Sequence, residues 1–164
     1  MPSDPARPQA RITIRDADPS DTAFMHSLSP RLSGVPGPVW HTRAAMDGFQ
    51  DRHMAATVDA GLAGARTLMA LSEGGQRLGY IHLQPGKDGV TDEPCGYVAV
   101  LALVEEAEGQ GVAAQLMAQA EAWARAQGYR FLSLDVFADN VRAIDVYTRG
   151  GFGAETIRMV KPLT

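Results

Sequence analysis

The sequence predicts a single α/β domain built on a mixed sheet, and three features carry that reading. Stretches with a two-residue apolar alternation interleave with stretches of helical period, in the order β, α, α, β, β, β, α, β, α, β. The run "CGYVAVLALV" (95–104) is almost wholly apolar, as expected of a central strand covered on both faces. A chain of 164 residues is long enough for one such core and short for two.

The elements follow in order. "ARITIRDADPSD" alternates Ile12 and Ile14 with polar neighbours, then turns at Asp18-Pro19. Pro19 suits the first position of a short helix running to Leu28. "SPRLSGVPGPVWHTR" (29–43), rich in Pro and Gly, reads as a loop, and a second helix covers 42–60 and stops near Gly61 or Gly64. Two strand-forming runs flank Glu73-Gly74-Gly75 as a hairpin, and "KDGVTDE" makes a second turn ahead of the apolar strand. A helix is predicted over 109–127, a strand over 129–137 and a helix over 140–149. After a break at Gly150-Gly151, "AETIRMVKPL" (154–163) reads as a last strand.

Composition narrows the functional classes. A net charge of −4 argues against a general nucleic-acid binder, although it sets no limit on a local basic patch. Cys95 is the only cysteine, so no intramolecular disulfide forms, which fits a cytoplasmic protein. No apolar run approaches the roughly 20 residues that span a bilayer. The first ten residues, "MPSDPARPQA", lack the apolar core of a secretory signal and are expected to form a flexible arm (1–10).

The chemistry concentrates at "EEAEGQGVAAQLM" (105–117), where carboxylates precede glycines that open a helix. The first four amides of a helix lack internal partners and favour an anion, and glycine lets the backbone approach a phosphate closely. A tight turn with no ligand would look similar. "GQGVAA" also matches the dinucleotide fingerprint, with Asp135 as its ribose partner. Against that, residues 104–108 separate strand from glycine, and only one further βα unit follows.

Downstream, "NVRAIDVYTRGGF" puts Asn140 and Tyr147 on one helix face with Ala143 and Ile144 between them. Together the two segments resemble the GCN5-related N-acetyltransferase (GNAT) family. Its acyl-CoA motif, Arg/Gln-x-x-Gly-x-Gly/Ala, corresponds to Glu108-Gly109-Gln110-Gly111-Val112-Ala113. Its later Asn-x-x-Ala-x-x-x-Tyr and Gly-Phe correspond to Asn140, Ala143, Tyr147, Gly151 and Phe152. The match is close over residues 95–164 and agrees only in element order before them.

The resemblance implies a GNAT-like fold over 11–164: a strongly twisted mixed sheet with helices on both faces, and a central strand that splays from its neighbour. It implies acetyl-CoA as acyl donor and no metal. Backbone groups of Leu101, Ala102 and Leu103 would contact the pantetheine arm. The segment Glu108, Gly109, Gln110, Gly111, Val112, Ala113 and Ala114 would hold the pyrophosphate. Asn140 would touch the cofactor unless it or Asp139 serves only as a helix cap. Tyr147 would face the sulfur as general acid, and Arg142 would balance phosphate charge. The acceptor would be a small-molecule or peptide amine, attacked directly, with Trp40, His41 and His82 as candidate acceptor contacts. A homodimer is compatible with the sequence.

Two positions depart from the family pattern. Glu108 stands where Arg or Gln is usual, and a common strand glutamate falls at Ala99, which cannot act as a base. An alkylammonium at pH 7 is about 4.6 kcal/mol from its neutral form, so the proton needs another route. His82 and Asp135 are thin candidates, each more readily structural. The missing glutamate also favours an alternative: a catalytically weak acyl-CoA-binding or sensing module.

Overall fold

The computed structural model describes residues 11–163, so the expected arm at 1–10 lies outside the described residues. Five strands form one sheet in the order β1-β2-β3-β4-β5. They are β1 (Ile12–Asp16), β2 (Arg66–Ser72), β3 (Arg77–Lys87), β4 (Pro94–Leu103) and β5 (Leu132–Leu134). The first three pairings are antiparallel and β4–β5 is parallel, which makes the sheet mixed as the sequence predicts. The β2–β3 hairpin turns through Gly74 and Gly75, with Gly75 at φ 79°.

Asp18 caps the turn Pro19–Asp21, with Pro19 in its first position, and α1 (Thr22–Ser27) follows. Helix α3 (Arg43–Ala56) is capped by Thr42 and ends in a turn closed by Gly61 at φ 58°. Helices α4 (Val112–Ala126) and α5 (Val141–Arg149) flank β5 in the chain.

The sheet carries a core on each face. On one, Leu68, Ala70, Ile81, Leu83 and Val98 pack under Leu116, Ala120 and Trp123 of α4. On the other, Met69, Tyr80, Val100 and Ala102 meet Met25, Leu28 and Met54 from the α1–α3 region. Strict alternation would leave Val98 and Val100 on the same face. They lie on opposite faces because Leu83 pairs with Val98 while His82 pairs with Val100, leaving Ala99 as the extra residue of a β-bulge. The bulge sits in the middle of the apolar strand, where it redirects every later side chain.

Three sequence expectations change. The segment 29–43 is not all loop: it opens with α2 (Ser29–Ser33), with Pro30 in the first turn, where its missing N–H costs nothing. The helix expected from 109 begins at Val112, because Gly109 and Gly111 both have left-handed φ. The last strand is absent: residues 153–163 form no regular element and are exposed, Ile157 and Met159 at 81% and 89%. An alternating pattern becomes a strand only where a neighbouring edge accepts its hydrogen bonds, and no described strand pairs with this segment.

Candidate active site

The site begins where two strands part. β4 and β5 pair only through Gly96–Leu132, Tyr97–Ser133 and Val98–Leu134. β4 then runs on to Leu103 with β3 on one side and no strand on the other. Residues 99–103, including the expected contacts Leu101, Ala102 and Leu103, therefore offer backbone groups along an open edge. Backbone donors and acceptors left unpaired in a cleft demand partners.

At the far end of that edge, Val104 leads into a short turn, Glu105–Ala107. Ala107 and Val112, each 1% exposed, anchor the connecting loop from beneath. Gly109 and Gly111 take φ of 72° and 79°, a region that costs other residues roughly 1–2 kcal/mol. Gly111 occupies the N-cap of α4 and supplies no side-chain cap, so the first amides of the helix, those of Val112, Ala113 and Ala114, are left without one. The Gln110 amide donates to Glu106 O at 2.6 Å and holds the loop in shape. An uncapped helix start beneath two left-handed glycines fits a pyrophosphate in both charge and access.

Glu108 stands beside this cradle and is not a free negative charge. Arg142 Nη2 of α5 reaches its Oε2 at 2.7 Å, and Arg31 Nη2 of α2 bonds its Oε1. Arg31 also donates from Nε to Leu103 O at 2.9 Å, tying α2 to the end of β4. The carboxylate thus gathers two guanidiniums, one from α2 and one from α5, at the place where the cation of the family motif is missing. Arg31 carried no signal in the sequence, since its stretch read as loop.

α5 presents the second motif. Asn140 is the N-cap of α5, its side-chain oxygen accepting from Ala143 N at 3.3 Å. Tyr147 packs edge-on against Phe152 at 6.0 Å, and burial pushes its hydroxyl above the usual phenol range.

The acceptor candidates fare differently. His82 is not on a polar strand face: β3 is covered on both sides, and the ring is 3% exposed under α3. Its Nδ1 meets Thr67 Oγ1 at 2.7 Å, its Nε2 has no partner among the described residues, and burial lowers its pKa. Trp40 and His41 lie exposed on the loop before α3, ring to ring at 6.3 Å, and no hydrogen bond or ring contact ties them to the strand gap among the described residues. Asp135 follows β5 and accepts from the Tyr97 hydroxyl at 3.0 Å. Burial, then the Asp135 charge, holds Tyr97 protonated. Cys95 is buried at the root of β4.

Residues the sequence reading passed over lie beside the β4 bulge. His53 of α3 bonds Ala99 O through Nε2 at 2.7 Å and stacks on Phe49 at 5.9 Å. Phe49 in turn meets Phe137, beyond β5, at 5.9 Å. The spacing Phe49-x-x-x-His53 on a helix was the available signal, since such residues share a face.

The comparisons agree with this architecture. The model of the acetyltransferase (GNAT) family matches residues 37–152. The chain belongs to that family. No curated protein sequence matches it. Among solved structures it is similar to a Pyrococcus furiosus protein assigned to the acetyl transferases, at 22% identity and TM-score 0.71, covering 93% of this chain and 100% of that one. It is also similar to the aminoglycoside 6'-N-acetyltransferase AAC(6')-IG of Acinetobacter haemolyticus, at 19% identity and TM-score 0.63, covering 93% and 99%. A third is aminoglycoside N-acetyltransferase AAC(6')-Iy in complex with CoA, at 16% identity and TM-score 0.66, covering 97% and 99%. Likeness at this identity establishes the fold. Among the described residues no helix is long and apolar enough to cross a membrane, and no cluster of potential metal ligands occurs.

Proposed function

We propose that this protein transfers an acetyl group from acetyl-CoA to a primary amine by direct attack, with Tyr147 as the general acid. The observation that carries the reading is the open edge of β4 between its last pairing with β5 at Val98 and the glycine cradle at 109–111. An acyl-CoA has the matching parts in the matching order: an anionic pyrophosphate, an amide-bearing arm, and a thioester at the end. The amides of 109–114 would hold the pyrophosphate, with Arg31 and Arg142 as its cations. Backbone groups of Leu101, Ala102 and Leu103 would pair with the arm. Asn140 caps α5 through its oxygen and keeps its amide N–H groups for the ligand.

Attack on the thioester develops an oxyanion, which a preorganised strand amide stabilises. The departing thiolate resembles cysteine, with a free pKa of about 8.5, and needs little help to leave. Tyr147 supplies a proton to it, and a raised pKa keeps that proton in place across the working range. The acceptor is a cationic small molecule or peptide amine, and the net charge of −4 favours the former. A cytoplasmic site of action is consistent with a single buried cysteine.

The test is thiol release from acetyl-CoA against a panel of amines. Tyr147→Phe should lower kcat by about 100-fold with little change in acetyl-CoA affinity; full kcat at every pH removes the acid role. Ala99, in the place of a common family glutamate, favours a second reading, a catalytically weak acyl-CoA-binding or sensing module. Tight CoA binding with no turnover of any amine would select it.

A further inference from the structure

An ammonium cannot attack a thioester until it loses a proton, and the position from which a strand carboxylate would take it holds Ala99. We infer that His53 of α3 is the base for the acceptor amine, reaching across to the β4 bulge from the opposite side; this rests on the transferase reading above.

The bulge leaves the Ala99 carbonyl for the ring to bond, at 2.7 Å from Nε2. A carbonyl oxygen only accepts, so Nε2 carries the hydrogen and Nδ1 of the neutral ring keeps its lone pair. Nδ1 has no hydrogen-bond partner among the described residues and, unlike His82 Nε2, is not sealed from solvent. His53 as a whole is half-buried. The ring is thus fixed in tautomer and orientation, with one basic nitrogen open.

Its location suits the task. With a pyrophosphate at residues 109–114, a chain laid along β4 runs back past Leu103 and Leu101 toward Ala99, so its acyl end arrives beside this ring. The other titratable groups nearby are engaged. His82 is shut beneath α3 and paired with Thr67, and Asp135 takes the Tyr97 hydroxyl. Glu108 lies at the phosphate end with its two arginines. Near His53, His82 on β3 is titratable and the Tyr80 hydroxyl is buried against the adjacent Met54, while Phe49 and Phe137 bring no charge and offer ring faces to an incoming ammonium.

The protons balance as follows. Nδ1 takes one proton from the ammonium, directly or through a water. The neutral nitrogen forms a bond to the thioester carbon, the carbonyl electrons move to oxygen, and their return breaks the C–S bond. Of the two hydrogens then on the cationic nitrogen, one leaves as the amide forms; Tyr147 protonates the departing thiolate and regains a proton from the nitrogen through solvent, and His53 returns its own to solvent, so that one proton is released in all.

The experiment compares wild type, His53→Ala and His53→Gln in acetyl transfer over a pH series, alongside acetyl-CoA binding. Glutamine retains an N–H donor for Ala99 O but cannot take a proton, so it separates base from brace. Both variants should lose about 100-fold in kcat/KM, bind acetyl-CoA within twofold of wild type, and recover as pH rises or as weaker amines are offered. Should the alanine variant fail to fold, the glutamine variant decides alone. A glutamine variant with wild-type kcat/KM and pH profile overturns the inference while leaving the transferase reading intact. A wild-type protein that binds acetyl-CoA and acetylates no amine overturns both.

Discussion

Arg31 and Arg142 hold opposite oxygens of one carboxylate, and that shared partner makes sense of Glu108. In the sequence, a glutamate beside a phosphate cradle reads as repulsion. In the fold, its charge is spent on two guanidiniums that arrive from α2 and α5. Arginine presents a fork suited to phosphate as well as to carboxylate, so a pyrophosphate bound at the glycines would compete for both. Arg31→Ala and Arg142→Ala should each weaken CoA binding by about fivefold to tenfold. Both sites are solvent-exposed, so the loss should shrink in high salt. Titration of CoA at two ionic strengths checks this; affinities equal to wild type in low salt would detach both arginines from the phosphate. Arg142 was legible through its place in the α5 motif. Arg31 was not, because its role depends on a contact across 77 positions of sequence.

Elements hold these residues through a few unusual junctions. The turn after β1 is one: Asp21 is fully buried and takes two bonds from Arg15, at 2.7 and 3.0 Å, one from Arg77 Nε at 2.7 Å, and one from the Asp18 amide at 2.8 Å. It pins the start of α1 to β1 and β3 together. The Arg15 hydrogen bonds hold its carboxyl well below the usual carboxylate range. A depressed folded-state pKa contributes stability above the unfolded value, about 3.9, and that contribution fades as pH falls below it. Asp21→Asn should therefore cost about 3 kcal/mol near neutrality, with a gap that narrows below about pH 4. Urea midpoints at pH 7 and pH 3 read both parts. The Asp18-Pro19 turn was readable from local chemistry, whereas Arg77, one of the two arginines that neutralise Asp21, comes from β3, 56 positions away.

The whole molecule is two cores sharing one sheet. Leu116 is fully buried on the α4 side, and Met54 is 2% exposed on the α3 side. Leu116→Ala and Met54→Ala should each cost about 2–5 kcal/mol. Because β3 supplies Ile81 and Leu83 to one core and Tyr80 to the other, both should lower a single unfolding transition rather than split it. Thermal unfolding followed by far-UV and aromatic signals tests that, with two separated transitions as the contrary result.

The sequence by itself determined what depends on near neighbours in the chain. Period and turn residues gave the order of most elements, the central strand and the glycine-opened helix, and two spaced motifs gave the family and marked Tyr147 as a candidate. What only the tertiary structure decided rests on distant partners. The bulge at Ala99 depends on registration with β3, and the unpaired segment after Gly153 depends on which edges are available. The burial of His82, the arginine pair on Glu108 and the seating of His53 against Ala99 depend on which helix covers which face. A side chain's period tells which way it faces on its own element; what it faces is set by packing between elements, and the surroundings of His53 and Glu108 are made almost entirely of such meetings.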